Sequence, residues 1–180
     1  MSDAVRAVVS IPGGRAQIHL AGFMGSGKST VGRLLARQLL WNFLDLDGVV
    51  ERHEGRSVAR IFAESGEAAF RDSECHVLRQ VVSKPSTVVA LGGGTLMDGG
   101  NQALSRKHAA LVWLRCPLEV LEARCAGDED LAGKRPLWGD REALQQRYDE
   151  RLPGYEAAEF VVDACDDAEA VAQAVLEAIR

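Results

Sequence analysis

The 180-residue chain has no CxxC pair, no excess of basic residues and no long apolar run, and each absence closes a class of function. Its cysteines, Cys75, Cys116, Cys125 and Cys165, are too widely spaced to suggest a zinc site or a disulfide framework, and read as free thiols of a reducing cytoplasm. His19, His53, His76 and His108 are equally scattered. No stretch approaches the roughly 18 apolar residues of a membrane span. The N-terminus, with an acid at Asp3 and only the short patch VVSI, makes a poor signal peptide, and residues 1–16 read as a flexible lead-in. A formal net charge of −5 argues against a nucleic-acid partner. The charge is uneven: from Asp140 onward 4 Lys/Arg stand against 11 Asp/Glu, and residues 1–139 carry 17 against 15. An anionic ligand would find its cations mainly in the earlier portion.

What is present is ordinary for one globular domain, with 47% hydrophobic and 26% charged residues. Strand-like runs alternate with helical periodicity. The strands are Ile18–Ala21, Asn42 to Asp45 or Asp47, Thr87–Leu91, Ala110–Leu114 and Phe160–Val162. The helices follow Gly27, run from Val49 to Ser65 with a break near Gly55, and from Glu67 to Val82. Further helices cover Asn101–Lys107, Leu118–Cys125, Arg141–Arg151 and Ala168–Ile179, the last with Asp166 and Glu169 resembling an N-terminal cap. Residues 126–139 have no apolar period and read as a long loop of the kind that forms lids. This alternation predicts a parallel sheet covered on both faces, with ligands beyond the carboxyl ends of its strands.

Three unusual features fall at such ends. The first, Gly22-Phe23-Met24-Gly25-Ser26-Gly27-Lys28-Ser29, fits GxxxxGK[ST]. Its glycines let backbone N–H groups turn around phosphate oxygens at a helix N-terminus; Lys28 can reach the β and γ phosphates and Ser29 can ligate Mg²⁺. Nucleotide phosphates are therefore expected on Gly25, Ser26, Gly27, Lys28, Ser29 and Thr30. A dinucleotide-binding GxGxxG is absent from this turn. The second feature is FLDLD, with Asp45 and Asp47 two residues apart. If the strand persists to Asp47, both acids share one face and need a positive partner. Asp45 is the better magnesium candidate, directly or through water, and Asp47 is available to an acceptor hydroxyl or to a helix cap. The third is Gly92-Gly93-Gly94, either a close approach of backbone to a ligand or a simple turn.

In GFMGSGKSTVGRLLA, FLDLD, GEAAFRDSE, LGGGT, KRPL and ERLPGY, taken in order, the chain resembles the shikimate kinases from about Ile18 to its end. The resemblance implies a nucleoside-monophosphate-kinase-like fold: a three-layer α/β P-loop domain with five parallel strands ordered 2-3-1-4-5 and a mobile lid, here residues 126–139 of a single domain, 1–180. It implies Mg²⁺- and ATP-dependent phosphorylation of the 3-hydroxyl of shikimate, in the cytoplasm and by default as a monomer. By position, Asp47 resembles the acid that binds shikimate hydroxyls and orients or deprotonates the acceptor. Arg71 and Arg151 resemble the guanidinium pair for the carboxylate, and Gly92, Gly93 and Gly94 the loop lining the pocket. Arg135 resembles the lid arginine, Arg124 the arginine on adenine, and Glu74 a residue of the substrate region. Departures are a longer, acidic lid (Asp128, Glu129, Asp130), Gly154 where a larger apolar residue is common, and the acidic DACDD of Asp163–Asp167. A gluconate kinase and a kinase-like sensor without turnover are the rival readings.

Overall fold

The computed structural model of the chain describes residues 11–126 and 141–180. In chain order these form β1 (Gln17–Ala21), α1 (Lys28–Leu39), β2 (Asn42–Asp45), α2 (Leu46–Glu54), α3 (Val58–Val81), β3 (Thr87–Ala90), α4 (Gly99–His108), β4 (Ala109–Arg115), α5 (Leu118–Ala126), α6 (Arg141–Tyr155), β5 (Phe160–Asp163) and α7 (Ala168–Ala178). The strands make one parallel sheet in the order β2-β3-β1-β4-β5, as expected. The central strand pairs Gln17 with Thr87 on one side and with Ala109 on the other.

Alternation along the buried strands sorts side chains into two cores. Ile18, Leu20, Val88, Ala110, Val112 and Leu114 pack with Val31 and Leu35 of α1 and Val171, Val175 and Leu176 of α7. Val89, Leu111 and Trp113 point the other way, against Leu46, Val50, Phe70, Val77 and Tyr155. His19, on β1, is also fully buried. The Gln17 amide donates to Val81 O (2.8 Å) and Lys84 O (2.5 Å), so its Oε1 accepts from His19 Nε2 at 2.9 Å. That leaves Nδ1 as a buried acceptor without a partner, and burial, helped by His108, pushes the imidazole pKa down to about 3.

Several boundaries differ from the sequence expectations. Ile11 is buried in the core and Arg15 pairs with Glu159, so the chain docks from residue 11, before the expected end of the lead-in at 16. β2 stops at Asp45, whose side chain caps α2 by accepting from Gly48 N at 3.5 Å. Asp45 and Asp47 therefore do not share a strand face, and the capping role falls on Asp45. α3 is interrupted at Gly66 (φ +81°), where a break was expected. α6 continues past Arg151 and through Pro153 to Tyr155, with Glu156 N returning to Leu152 O at 2.9 Å. The cap of α7 is Asp167, accepting from Ala170 N at 2.8 Å, and not Asp166: Asp167 is the residue with extended backbone next to the first turn.

Candidate active site

The turn after β1 is shaped by backbone that L side chains rarely adopt: Gly25 and Gly27 have φ of +81° and +88°. Gly27 is the N-cap of α1, so Lys28 and Ser29 open the helix with their amides facing the turn, and Thr30 follows in its first turn. Lys28 Nζ curls back onto the loop, donating to Gly22 O (2.8 Å) and Phe23 O (2.9 Å). Ser26 Oγ is buried beside Gly22 and has no hydrogen-bond partner. Ser29 Oγ donates to Asp45 Oδ2 at 2.7 Å, which links the loop to the end of β2. A serine hydroxyl and a carboxylate in contact at the mouth of a phosphate loop are a donor set that suits Mg²⁺.

Asp47 stands in the first turn of α2 and is turned inward. Its Oδ1 is buried without a partner. Burial, then the carboxylates of Glu74 and Asp45, raise its pKa to about 6, against the opposing pull of Lys28 and Arg71. Glu74, from α3, is fully buried and fully occupied: its Oε1 accepts from Thr95 Oγ1 (2.5 Å) and its Oε2 from Arg71 Nη1 (2.8 Å). Arg71 also pairs with Glu67 at 3.1 Å and lies over the Phe70 ring, 5.1 Å from its centroid. Both ion pairs run along α3, at spacings of four and three residues, and they aim the guanidinium at Gly94.

The triple glycine is where these groups meet. None of Gly92, Gly93 and Gly94 has a positive φ, so glycine is required there by space and not by conformation. A Cβ on Gly92 would stand 2.5 Å from Glu74 Oε1 and 2.7 Å from Asp47 Oδ1. On Gly93 it would meet Arg151 Nη1 at 2.7 Å, and on Gly94 it would meet Arg71 Nη2 at 2.5 Å. Arg151 lies over Phe23, 5.3 Å from the ring centroid. Burial, together with Arg147 and Arg71, lowers its pKa. Tyr155 OH donates to Gly93 O at 2.6 Å, and burial pushes the phenol up to about 12, so it remains a donor that fixes the glycine loop.

Asp47, Arg71, Glu74, Gly92, Gly93, Gly94 and Arg151 are therefore brought together at the carboxyl ends of β1–β3, beside Lys28, Ser29 and Asp45. Arg124 stands apart from that group. Its Nη2 donates to Cys165 O (3.0 Å) and Asp166 O (3.2 Å), which ties α5 to the loop after β5. Arg135 and the expected lid, apart from Ala126, lie outside the described residues. Tyr155, Thr95 and Phe23 were not singled out from sequence. All three stood within quoted motifs: Tyr155 closes ERLPGY, Phe23 lies inside the glycine turn and Thr95 closes LGGGT.

A phosphate loop facing a pocket of arginines and carboxylates on this fold marks a P-loop kinase of small molecules. The family described as shikimate kinase matches over residues 24–180. A shikimate kinase of Salinibacter ruber is 41% identical over 171 residues, covering 91% of this chain and 84% of that protein. Among solved structures, shikimate kinase from Bacteroides thetaiotaomicron superposes with a TM-score of 0.83 at 30% identity, covering 90% of this chain and 97% of the other. The enzyme from Acinetobacter baumannii in complex with shikimate gives 0.81 at 34%, covering 91% and 92%. The chain belongs to the shikimate kinase family. A gluconokinase from Sinorhizobium meliloti, at 18% identity and a TM-score of 0.59, shares the fold alone.

Proposed function

We propose that the chain transfers the γ-phosphoryl group of ATP to the 3-hydroxyl of shikimate, a step of chorismate and aromatic amino acid synthesis. The observation that carries this reading is the buried, unpartnered Oδ1 of Asp47, set against the glycine loop that the Arg71 and Arg151 guanidiniums approach. Shikimate has one carboxylate and three hydroxyls. The planar guanidiniums suit the carboxylate, and Asp47 Oδ1 suits the hydrogen of an attacking hydroxyl. At pH 7 Asp47 is mostly ionised and its pKa of about 6 keeps it basic enough to hold that hydrogen. Lys28 and the opening amides of α1 stabilise charge on the transferred group, which needs positioning and electrostatics more than covalent help. Ser29 and Asp45 would hold Mg²⁺, which when bound supplies charge neutralisation on the β and γ oxygens.

Arg124 is assigned to the adenine end, since its anchoring to Cys165 O and Asp166 O sets it beside the loop after β5. We assign the chain one cytoplasmic, monomeric kinase domain; among the described residues no helix is long and apolar enough to cross a membrane. The test is a coupled ADP-release assay with shikimate, with and without Mg²⁺, run in parallel with gluconate. Shikimate-dependent, Mg²⁺-dependent ADP release is expected, and its absence, or equal turnover of gluconate, would refute the reading.

A further inference from the structure

Three arginines line one cleft, and the reaction above uses two of them. The cleft, about 510 Å³, has Arg71 and Gly94 on one side and Arg147, Arg151 and Gly154 of α6 on the other. Gly154 sets this geometry: a Cβ there would stand 2.7 Å from Leu96 O and overlap the methyl end of Met97, so its absence lets α6 settle against the turn Thr95–Met97. That contact brings the face of α6 carrying residues 147 and 151 over the cleft. The two are four residues apart, on neighbouring turns of one face, with Cβ atoms about 6 Å apart.

Their surroundings differ. Arg71 is already balanced by Glu67 and Glu74. Among the described residues, neither Arg147 nor Arg151 forms an ion pair. Arg147 is exposed and Arg151 half-buried, so the helix presents a cation in water and then a cation inside. Glu150 also lines the cleft, and its Oε1 accepts from Gln146 at 2.7 Å instead of pairing with either arginine. Among the charged residues lining the cleft, Arg71, Arg147 and Arg151 face Glu67 and Glu150. Without Arg147 the lining would carry no net positive charge to meet an incoming carboxylate, with the carboxylates of Asp47 and Glu74 behind it.

We propose that Arg147 is an outer docking residue for the acceptor's carboxylate, capturing the anion at the cleft mouth and passing it along α6 to Arg151 and Arg71. The proposal rests on the shikimate-phosphorylating reading and adds a residue to it. Arg147 is a positioning residue: it acts on encounter and not on the reacting atoms, so its effect belongs in KM for the acceptor and in salt dependence.

The experiment is steady-state kinetics with shikimate varied at saturating Mg-ATP, at low and high ionic strength. The proteins are the wild type, Arg147→Gln, Arg147→Lys and Arg106→Gln. The last removes the same charge from an exposed position near the end of α4, just before the amino end of β4 and away from the carboxyl ends that carry the site. Arg147→Gln is expected to lower kcat/KM for shikimate roughly three- to tenfold at low ionic strength, through KM, with a smaller loss in high salt. KM for ATP stays unchanged, Arg147→Lys keeps most of the efficiency, and Arg106→Gln matches the wild type. A glutamine variant within about twofold of the wild type at low salt, one whose loss lies in kcat, or one matched by Arg106→Gln, would overturn the proposal. A wild type that does not turn shikimate over defeats the proposed function along with it; an active wild type with an indifferent Arg147→Gln defeats this inference alone.

Discussion

Asp47→Asn is expected to make the ligand-free protein more stable while removing most of its activity. The carboxyl is held in a site that resists its charge: buried, beside Glu74 and Asp45, and with Oδ1 unpartnered. A carboxyl that ionises near pH 6 in the fold, against 3.8 as its ordinary value, costs the folded state about 3 kcal/mol when charged at pH 7. The sign follows from proton binding. Between these two pH values the native state holds a proton that the unfolded chain has released, so stability from this group falls as pH rises. Above about 6 the whole penalty is present. Asparagine removes the charge but leaves a buried polar group, so a net gain of about 1–2 kcal/mol is the expectation at pH 7.5. In a chain of this length that is roughly 3–6 °C in Tm. Urea titrations of both proteins from pH 4 to 8 measure it: the advantage of the variant is expected to be largest at pH 7 and above and to give way to a small disadvantage near pH 4, where the carboxyl is protonated in the fold and the cost of the buried amide remains. In the coupled assay its turnover is expected to fall roughly 10²–10⁴-fold with ATP binding retained. The wild type's kcat/KM for shikimate should decline as pH falls through about 6, a limb that the variant lacks. A variant no more stable than the wild type at pH 7.5, or one with near-wild-type turnover, would refute the reasoning.

His19 acts with the opposite sign: it stays neutral in the fold down to about pH 3, while the unfolded chain takes up a proton below about 6.5. Stability from this group is therefore lost as pH falls from 6.5, by about 2 kcal/mol at pH 5, and His19→Leu should abolish that slope in urea titrations. Gly94→Ala would push against the mobile end of Arg71 and is expected to raise KM for shikimate with the fold intact, read by kinetics and circular dichroism. Gly92→Ala would press on the buried Glu74 and Asp47 carboxylates and should lower both activity and Tm. Ser29→Ala removes the hydroxyl that contacts Asp45, and should cut turnover at least roughly 10-fold and raise the Mg²⁺ concentration for half-maximal rate; an unchanged Mg²⁺ dependence would exclude Ser29 as a ligand.

Much of this site could be read from the chain because its parts are local. A phosphate loop is a continuous run whose glycines, lysine and serine act where they stand, and its position between an apolar strand and an amphipathic helix followed from periodicity. The sheet order came with the family resemblance. Features set by tertiary contact were less legible. That Asp45 ends β2 and caps α2 depends on where β3 stops offering partners, and the last pairing is Asp45 with Ala90. Glu74 reads in sequence as one more acid on a polar helix, yet it is fully buried between Thr95 and Arg71. Gly154 looked like a departure from the family, and only the packing of α6 on Leu96 and Met97 gives it a cause.

The ending of β2 at Asp45 also explains how two nearby acids come to serve different partners. Side chains two apart on a strand would have stood together and competed for one cation. Passing from strand to helix between them turns the second acid away from the first. Asp45 keeps the extended backbone of an N-cap and reaches Ser29, at the phosphate side. Asp47, inside the first helical turn, comes close to the backbone of Gly92 and the carboxylate of Glu74, at the acceptor side. The first acid has a hydroxyl and a backbone N–H to satisfy it; the second has a buried oxygen with neither. On this reading the instability stored at Asp47 is relieved when an acceptor hydroxyl donates to that oxygen, so shikimate should stabilise the wild type in thermal melts more than it stabilises Asp47→Asn. Equal stabilisation of the two would separate Asp47 from the acceptor and leave its strained carboxyl without a function.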